Sequence, residues 1–142
     1  MKSFVVLRKE GLIRKITPNA IHASSLLAQS EKKLQGIALL VTHIEVNEST
    51  THLFIDQLYD CFFQLIRSKM YKEGYKTLSH EAEISYIKHL GLLPIYVDML
   101  DELRKIRNGH KYYGHQIAQA YVAKWLTQYQ KIYAHIKELC VL

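Results

Sequence analysis

The residues able to do chemistry crowd into one part of this chain. Between residues 103 and 137 stand Arg104, Lys105, Arg107, Lys111, Lys124, Lys131 and Lys137, and no aspartate or glutamate. The other residues carry twelve basic and thirteen acidic side chains, so the whole positive excess behind the net charge of +6 belongs to that stretch. His110, His115 and His135 lie in it too, with Tyr112, Tyr113, Tyr121, Trp125, Tyr129 and Tyr133. Cations interleaved with aromatics suit a phosphate-bearing ligand, either a nucleotide or RNA. From Tyr121 onward the aromatics keep helical core spacing, which makes them packing residues first. From Arg104 to His115 the balance shifts toward a binding or reacting site.

On a helical wheel, at about 100° per residue, Arg104, Arg107, Asn108, Lys111 and His115 share one arc of an unbroken helix. His110 falls on the apolar side, with Leu103 and Ile106. Cations on one arc repel each other unless an anion sits opposite them. Arg107 also borders the core stripe and needs a carboxylate or a phosphate as partner. Metal chemistry has no comparable signal. The eight histidines and two cysteines form no Cys-x-x-Cys or His-Glu-x-x-His pattern, and no cofactor motif appears. Gly109 and Gly114 follow no strand, so they are no phosphate loop.

The elements that must position these residues read as helices. Thr17-Pro18 resembles an N-cap followed by proline in the first turn, and Leu27, Leu34, Ile37, Val41 and Ile44 continue one apolar stripe. Leu53 to about Glu73 is apolar on most faces and so is buried on more than one side, either centrally or against another subunit. Gly74 ends it. Ser79 opens a shorter helix with acids in its first turn, where the helix dipole favours them. Gly91 and Pro94 separate that helix from one with Tyr96, Met99, Leu100, Leu103 and Ile106 in its core stripe. A last helix runs from Ala118 to Cys140. No sustained period-two alternation points to a strand, and the connections are short. These features predict an all-α, up-and-down antiparallel bundle of four to five helices in a single domain. Residues 1–16 form an extension and residues 17–140 the bundle.

Length and composition agree with that picture. A chain of 142 residues can bury a core without staples. Cys61 and Cys140 read as buried free thiols of a reducing, cytoplasmic protein. The apolar run Phe4 to Leu7 is too short for a signal or membrane segment.

The segment LRKIRNGHKYYGH (residues 103–115), with DQLYDCFFQLIRSKMYKEGYKTLSHEAEISYIKHL before it (residues 56–90), resembles a HEPN domain, particularly small archaeal members. The resemblance spans roughly residues 18 to 138. It implies a helical bundle, usually dimeric. Many HEPN proteins are metal-independent ribonucleases, while others are non-catalytic modules paired with a small nucleotidyltransferase, often as toxin and antitoxin. Active members carry arginine, usually followed by a polar residue, then four to six residues, then histidine. Arg104 and His110 have that gap, but Lys105 follows the arginine. Arg107 has Asn108 behind it, with His110 two residues beyond and His115 seven. Where the toxin form of the motif would place histidine after Arg107, this chain has Tyr112.

Carried onto this sequence, the resemblance makes Arg107 with His110 or His115 the catalytic set. Arg104, Asn108, Lys111 and Tyr112 become nucleotide- or RNA-binding residues. Histidine moves protons near neutral pH, and arginine gives a charged donor fork to the phosphoryl oxygens. Two function classes stay open: a metal-independent endoribonuclease of the toxin type, and a non-catalytic module that binds a nucleotide or a nucleotidyltransferase partner. A helical protein outside the family is the third reading. The implied partners are a second copy of the chain and RNA or nucleotide, with no membrane and no cofactor.

Overall fold

The computed structural model describes residues 1–141. It is mostly helical, with seven helices and one two-residue ladder. The helices are α1 (Phe4–Lys9), α2 (Ala20–His43), α3 (Thr51–Glu73), α4 (His80–His89), α5 (Pro94–Tyr113), α6 (Gln119–Leu126) and α7 (Tyr129–Val141). Strands β1 (Arg14–Lys15) and β2 (Tyr75–Lys76) pair antiparallel, with Arg14 opposite Lys76 and Lys15 opposite Tyr75.

α3 is the axis of the fold. Phe54, Ile55, Leu58, Cys61, Phe62, Leu65 and Ile66 are all fully out of water. α2, α4, α5, α6, α7 and β2 each pack against this helix. The apolar surplus read from the sequence is therefore covered within one chain, and α3 gives no area argument for a second subunit. A buried knot ties three helices together: Ser30 Oγ on α2 donates to the Cys61 carbonyl at 2.6 Å and lies 3.1 Å from Tyr133 Oη on α7. Cys61 and Cys140 are free and buried, and burial pushes both thiols up to about 12.

Several boundaries differ from the sequence expectation, each for a local reason. α2 is capped by Asn19, whose side chain accepts from His22 N, rather than by Thr17. Pro18 instead packs against Gly74. The last helix divides in two. Thr127 Oγ1 bonds the Lys124 carbonyl, and Gln128 N turns back to Trp125 O. A threonine hydroxyl that bonds the preceding turn competes with the helical ladder. The apolar stripe crosses the break unharmed, with Val122, Trp125, Tyr129, Ile132 and Ile136 buried. Counting α1 and this division, the helices exceed the four to five expected. Residues 1–16, read as an extension, place Leu7 and Ile13 in the buried cluster and supply β1. A two-residue strand is too short to leave a periodic trace.

Gly74 caps α3 in the left-handed region at φ +82°, and a Cβ there would sit 2.6 Å from the Ile16 carbonyl oxygen. Gly114 is also left-handed, at φ +68°, but open space surrounds it. Alanine at Gly114 is expected to cost about 1–2 kcal/mol for the backbone alone. Gly74→Ala should cost clearly more, because main chain cannot move aside as a flexible side chain can. Urea midpoints of the two variants check this, and equal shifts would contradict it.

Candidate functional site

α5 runs unbroken through Gly109 to Tyr113, and Gly114 ends it. His115 therefore lies beyond the helix and does not share the helical face of Arg107, as an extended helix would require. The chain turns back after Gly114: Gly114 N bonds His110 O and His115 N bonds Gly109 O, both at 3.1 Å. This fold-back lays the His115 ring where a side chain at position 109 would stand, with its Nδ1 3.1 Å from the site of a Cβ. Gly109 weakens the helix in principle but makes room for a histidine in practice.

The fold-back also sets His110. Its Nδ1 lies 3.0 Å from the His115 carbonyl oxygen. A carbonyl can only accept, so this contact assigns the proton of a neutral His110 ring to Nδ1 and leaves the Nε2 lone pair available. His52, at the start of α3, stacks on His110 with ring centroids 5.8 Å apart and planes 21° apart. His52, His110, His115 and Glu48 line one open cavity of about 420 Å³. Among the described residues, no group of three His, Cys, Asp or Glu side chains is arranged to hold a metal ion.

Arg107 belongs to a neighbouring cluster. Its guanidinium lies over the Tyr59 ring of α3, with Cζ 4.4 Å from the centroid. Asn108 Oδ1 accepts from Arg107 Nη1 at 3.5 Å, and the buried Arg107 Nε has no hydrogen-bond partner. No carboxylate among the described residues is within ion-pair distance of it. Arg104 is the opposite case. It gives Nε and Nη2 to Asp101 Oδ1 at 3.1 and 2.9 Å, and Lys105 reaches Asp101 Oδ2 at 3.1 Å. Burial works against the Asp101 carboxylate, but the hydrogen bonds from Arg104 and Lys105 outweigh it and hold its pKa below the ordinary value. Lys137 pairs with Glu31. The continuous basic strip of the sequence thus reduces to Arg107, Lys111, Lys124 and Lys131, which have no acidic partner among the described residues. Lys111 lies 5.4 Å from the ring of Tyr112, which is 64% exposed.

A polar thread continues inward from Arg107. The edge of the His80 ring meets Tyr59 at 5.0 Å and Phe63 at 5.1 Å. His80 Nδ1 lies 3.5 Å from Oε1 of Glu83, a buried carboxylate that also accepts from Arg67 Nε and Nη2 at 3.3 and 3.2 Å. Beyond those contacts, Arg107 Nε, Tyr59 Oη, His80 Nδ1 and Glu83 Oε2 are all buried without a hydrogen-bond partner among the described residues. Buried polar atoms are normally satisfied, and several of the exceptions meet here, between α3, α4 and α5. Burial pushes the Tyr59 phenol up to about 12. Arg107 opposes that rise and Glu83 adds to it, so Tyr59 remains a neutral hydroxyl.

The structure therefore brings His110 and His115 together around one cavity and sets Arg107 one turn back, against Tyr59. His52, Tyr59, His80, Glu83 and Arg67 escaped the sequence reading. His52 and Tyr59 are seven residues apart on one face of α3, but nothing in the sequence says that this face meets α5. No family model matches the chain, and no curated protein or solved structure was found to match it.

Arg107 and Arg67 should respond differently to truncation. Arg107→Ala removes a cation–π contact, an expected loss of about 0.5–2 kcal/mol. Arg67→Ala leaves the buried Glu83 carboxylate without its arginine, which should cost about 3–5 kcal/mol. Urea denaturation of both variants tests the contrast. Equal losses would mean that Arg107 is as structural as Arg67.

Proposed function

We propose that this protein is a HEPN-like, metal-independent endoribonuclease of the toxin type. One observation carries the reading: three imidazoles, His52, His110 and His115, line a single cavity in which the His110 proton is fixed on Nδ1. Cleaving RNA without a metal needs a base and an acid on opposite sides of a phosphodiester. His110 Nε2 takes the proton of the ribose 2′-hydroxyl as its oxygen attacks phosphorus. His52 or His115, when protonated, returns a proton to the departing 5′-oxygen. The products are a 2′,3′-cyclic phosphate and a 5′-hydroxyl. Arg107 has no acidic partner within ion-pair distance among the described residues, and it supplies the fixed positive charge for the phosphoryl oxygens, with Asn108 beside it. Lys111 and Tyr112 extend the contact along the strand. Arg104 acts through the field it contributes, because Asp101 holds its fork.

On this reading α2 to α7 form the up-and-down bundle, five helices when α6 and α7 are counted as one broken helix. A homodimer is part of the proposal, supported by the exposed Val41 and Ile44, which lie close together around the end of α2. Buried free thiols fit a cytoplasmic setting, and no helix among the described residues is long and apolar enough to cross a membrane. A second reading rests on Tyr112 and Tyr113, which are 64% and 76% exposed side by side. Such a pair also suits a non-catalytic module that docks a nucleotide or a nucleotidyltransferase.

Incubation of the pure protein with RNA in EDTA should yield cyclic-phosphate ends. Arg107→Ala and His110→Ala should each slow cleavage by about two to four orders of magnitude. RNA left intact in EDTA and in magnesium alike rejects the nuclease and leaves the binding module. Binding of single-stranded RNA should weaken steeply with salt, and Lys111→Glu should lower both the affinity and that salt dependence. A salt-insensitive interaction would instead point to a protein partner.

A further inference from the structure

We propose a second, separate phosphate-binding site in the groove between the start of α2, the C-terminal half of α3, β2 and the start of α4. The groove encloses about 330 Å³, and His22, Arg67, Tyr71, Lys76, His80 and Glu83 line it. Its ligand is a phosphate ester, held by Arg67, Lys76 and His22.

Arg67 is the centre of the groove. Its Nε and Nη2 are spent on Oε1 of Glu83, whose side chain is 2% exposed, while Arg67 keeps 30% of its own side-chain surface. Nη1 has no acceptor among the described residues. A guanidinium clamped along one edge by a buried carboxylate has already lost its rotamer freedom, so a ligand at its free edge does not have to order it. Glu83 is in this sense a positioning residue, and its charge is balanced by the arginine that it holds.

Lys76 adds a cation that no carboxylate among the described residues neutralises within ion-pair distance, and the β1–β2 ladder fixes its backbone opposite Arg14. His22 presents a third donor, its ring set edge-on against Tyr71 at 4.3 Å. Three donors from three different elements surround one volume, as a tetrahedral anion requires. The Tyr71 ring and Leu26 leave an apolar wall for the organic part of the ester. Thr77 also lines the groove, but its hydroxyl is committed to Leu12 O and Ser79 N.

On a helical wheel His52 of the histidine cavity and Arg67 of the groove fall about 60° apart around α3. From His52 to Arg67 is fifteen residues, about 22 Å along the helix. A single strand occupying both would need on the order of four nucleotides, the short end of single-strand site sizes.

The test follows the ring signals of His22 and His80 by NMR in the full chain. The probes are inorganic phosphate, a deoxydinucleotide and a deoxytetranucleotide, none of which carries a 2′-hydroxyl to be cut. Phosphate should shift both signals at low ionic strength. Lys76→Ala and Arg67→Lys should each weaken that binding about tenfold. Arg67→Lys keeps a cation opposite Glu83 and so protects the fold while removing the planar fork. Tighter binding of the tetranucleotide than of the dinucleotide, lost in Lys76→Ala, identifies a polynucleotide as the source of the phosphate. Equal binding of all three probes identifies a small ester. Protein carrying His110→Ala should still bind phosphate here, so failure of the nuclease reading leaves this test intact. Unmoved His22 and His80 signals, or equal affinity in the two groove variants and the wild type, would overturn the site.

Discussion

A helix whose Phe54, Ile55, Leu58, Phe62, Leu65 and Ile66 all avoid water keeps only a narrow strip, marked by Leu53 and Asp56, for solvent, and that requirement arranges everything around it. Each such side chain contributes about 1.5–3 kcal/mol when it is fully buried. Satisfying all of them takes neighbours around most of α3, and six elements supply them. The short helices and the N-terminal segment make sense as parts of that cover. α6 breaks from α7 without losing the stripe that faces α3, and β1 reaches across to β2 at the far end of the same helix.

The same constraint explains why polar side chains meet where they do. Tyr59 and Arg67 lie on α3 yet carry polar atoms, so they need partners from whichever helices cover them. α4 supplies His80 and Glu83, and α5 supplies Arg107. Arg67 and Glu83 satisfy each other in part, while Tyr59, His80 and Arg107 meet through ring faces and edges and leave hydrogen-bonding capacity over. A core helix that keeps polar atoms in this state gives up stability that an apolar side chain would have kept.

Much of the fold was legible because it is local. The broad apolar surface of α3, the left-handed Gly74, the Ser79 cap and Pro94 at the start of α5 are all written within a few residues of where they act. The α6–α7 break was less visible, since an unbroken stripe hides a hydroxyl that bends the backbone. The candidate site divides along the same line. Arg107, Asn108, His110 and His115 stand out through their spacing, whereas His52 and His80 are silent until helices distant in sequence are brought together. Charge counting also misled in part. Asp101 lies just outside the acid-free stretch and takes up both Arg104 and Lys105.

The His115 ring occupying the space above Gly109 has a consequence for how this fold can vary. The two positions compete for one volume, because a Cβ at position 109 would approach the ring to 3.1 Å. Divergence here is constrained in pairs. A chain that gains a side chain at position 109 must shrink or displace the one at position 115, and with it the carbonyl that orients His110. Alanine at 109, favourable for the helix by about 1 kcal/mol, is thus a trade of local stability against a histidine's place. Among diverged copies of this chain, a small residue at 109 should travel with a ring at 115, and the two should be gained and lost together.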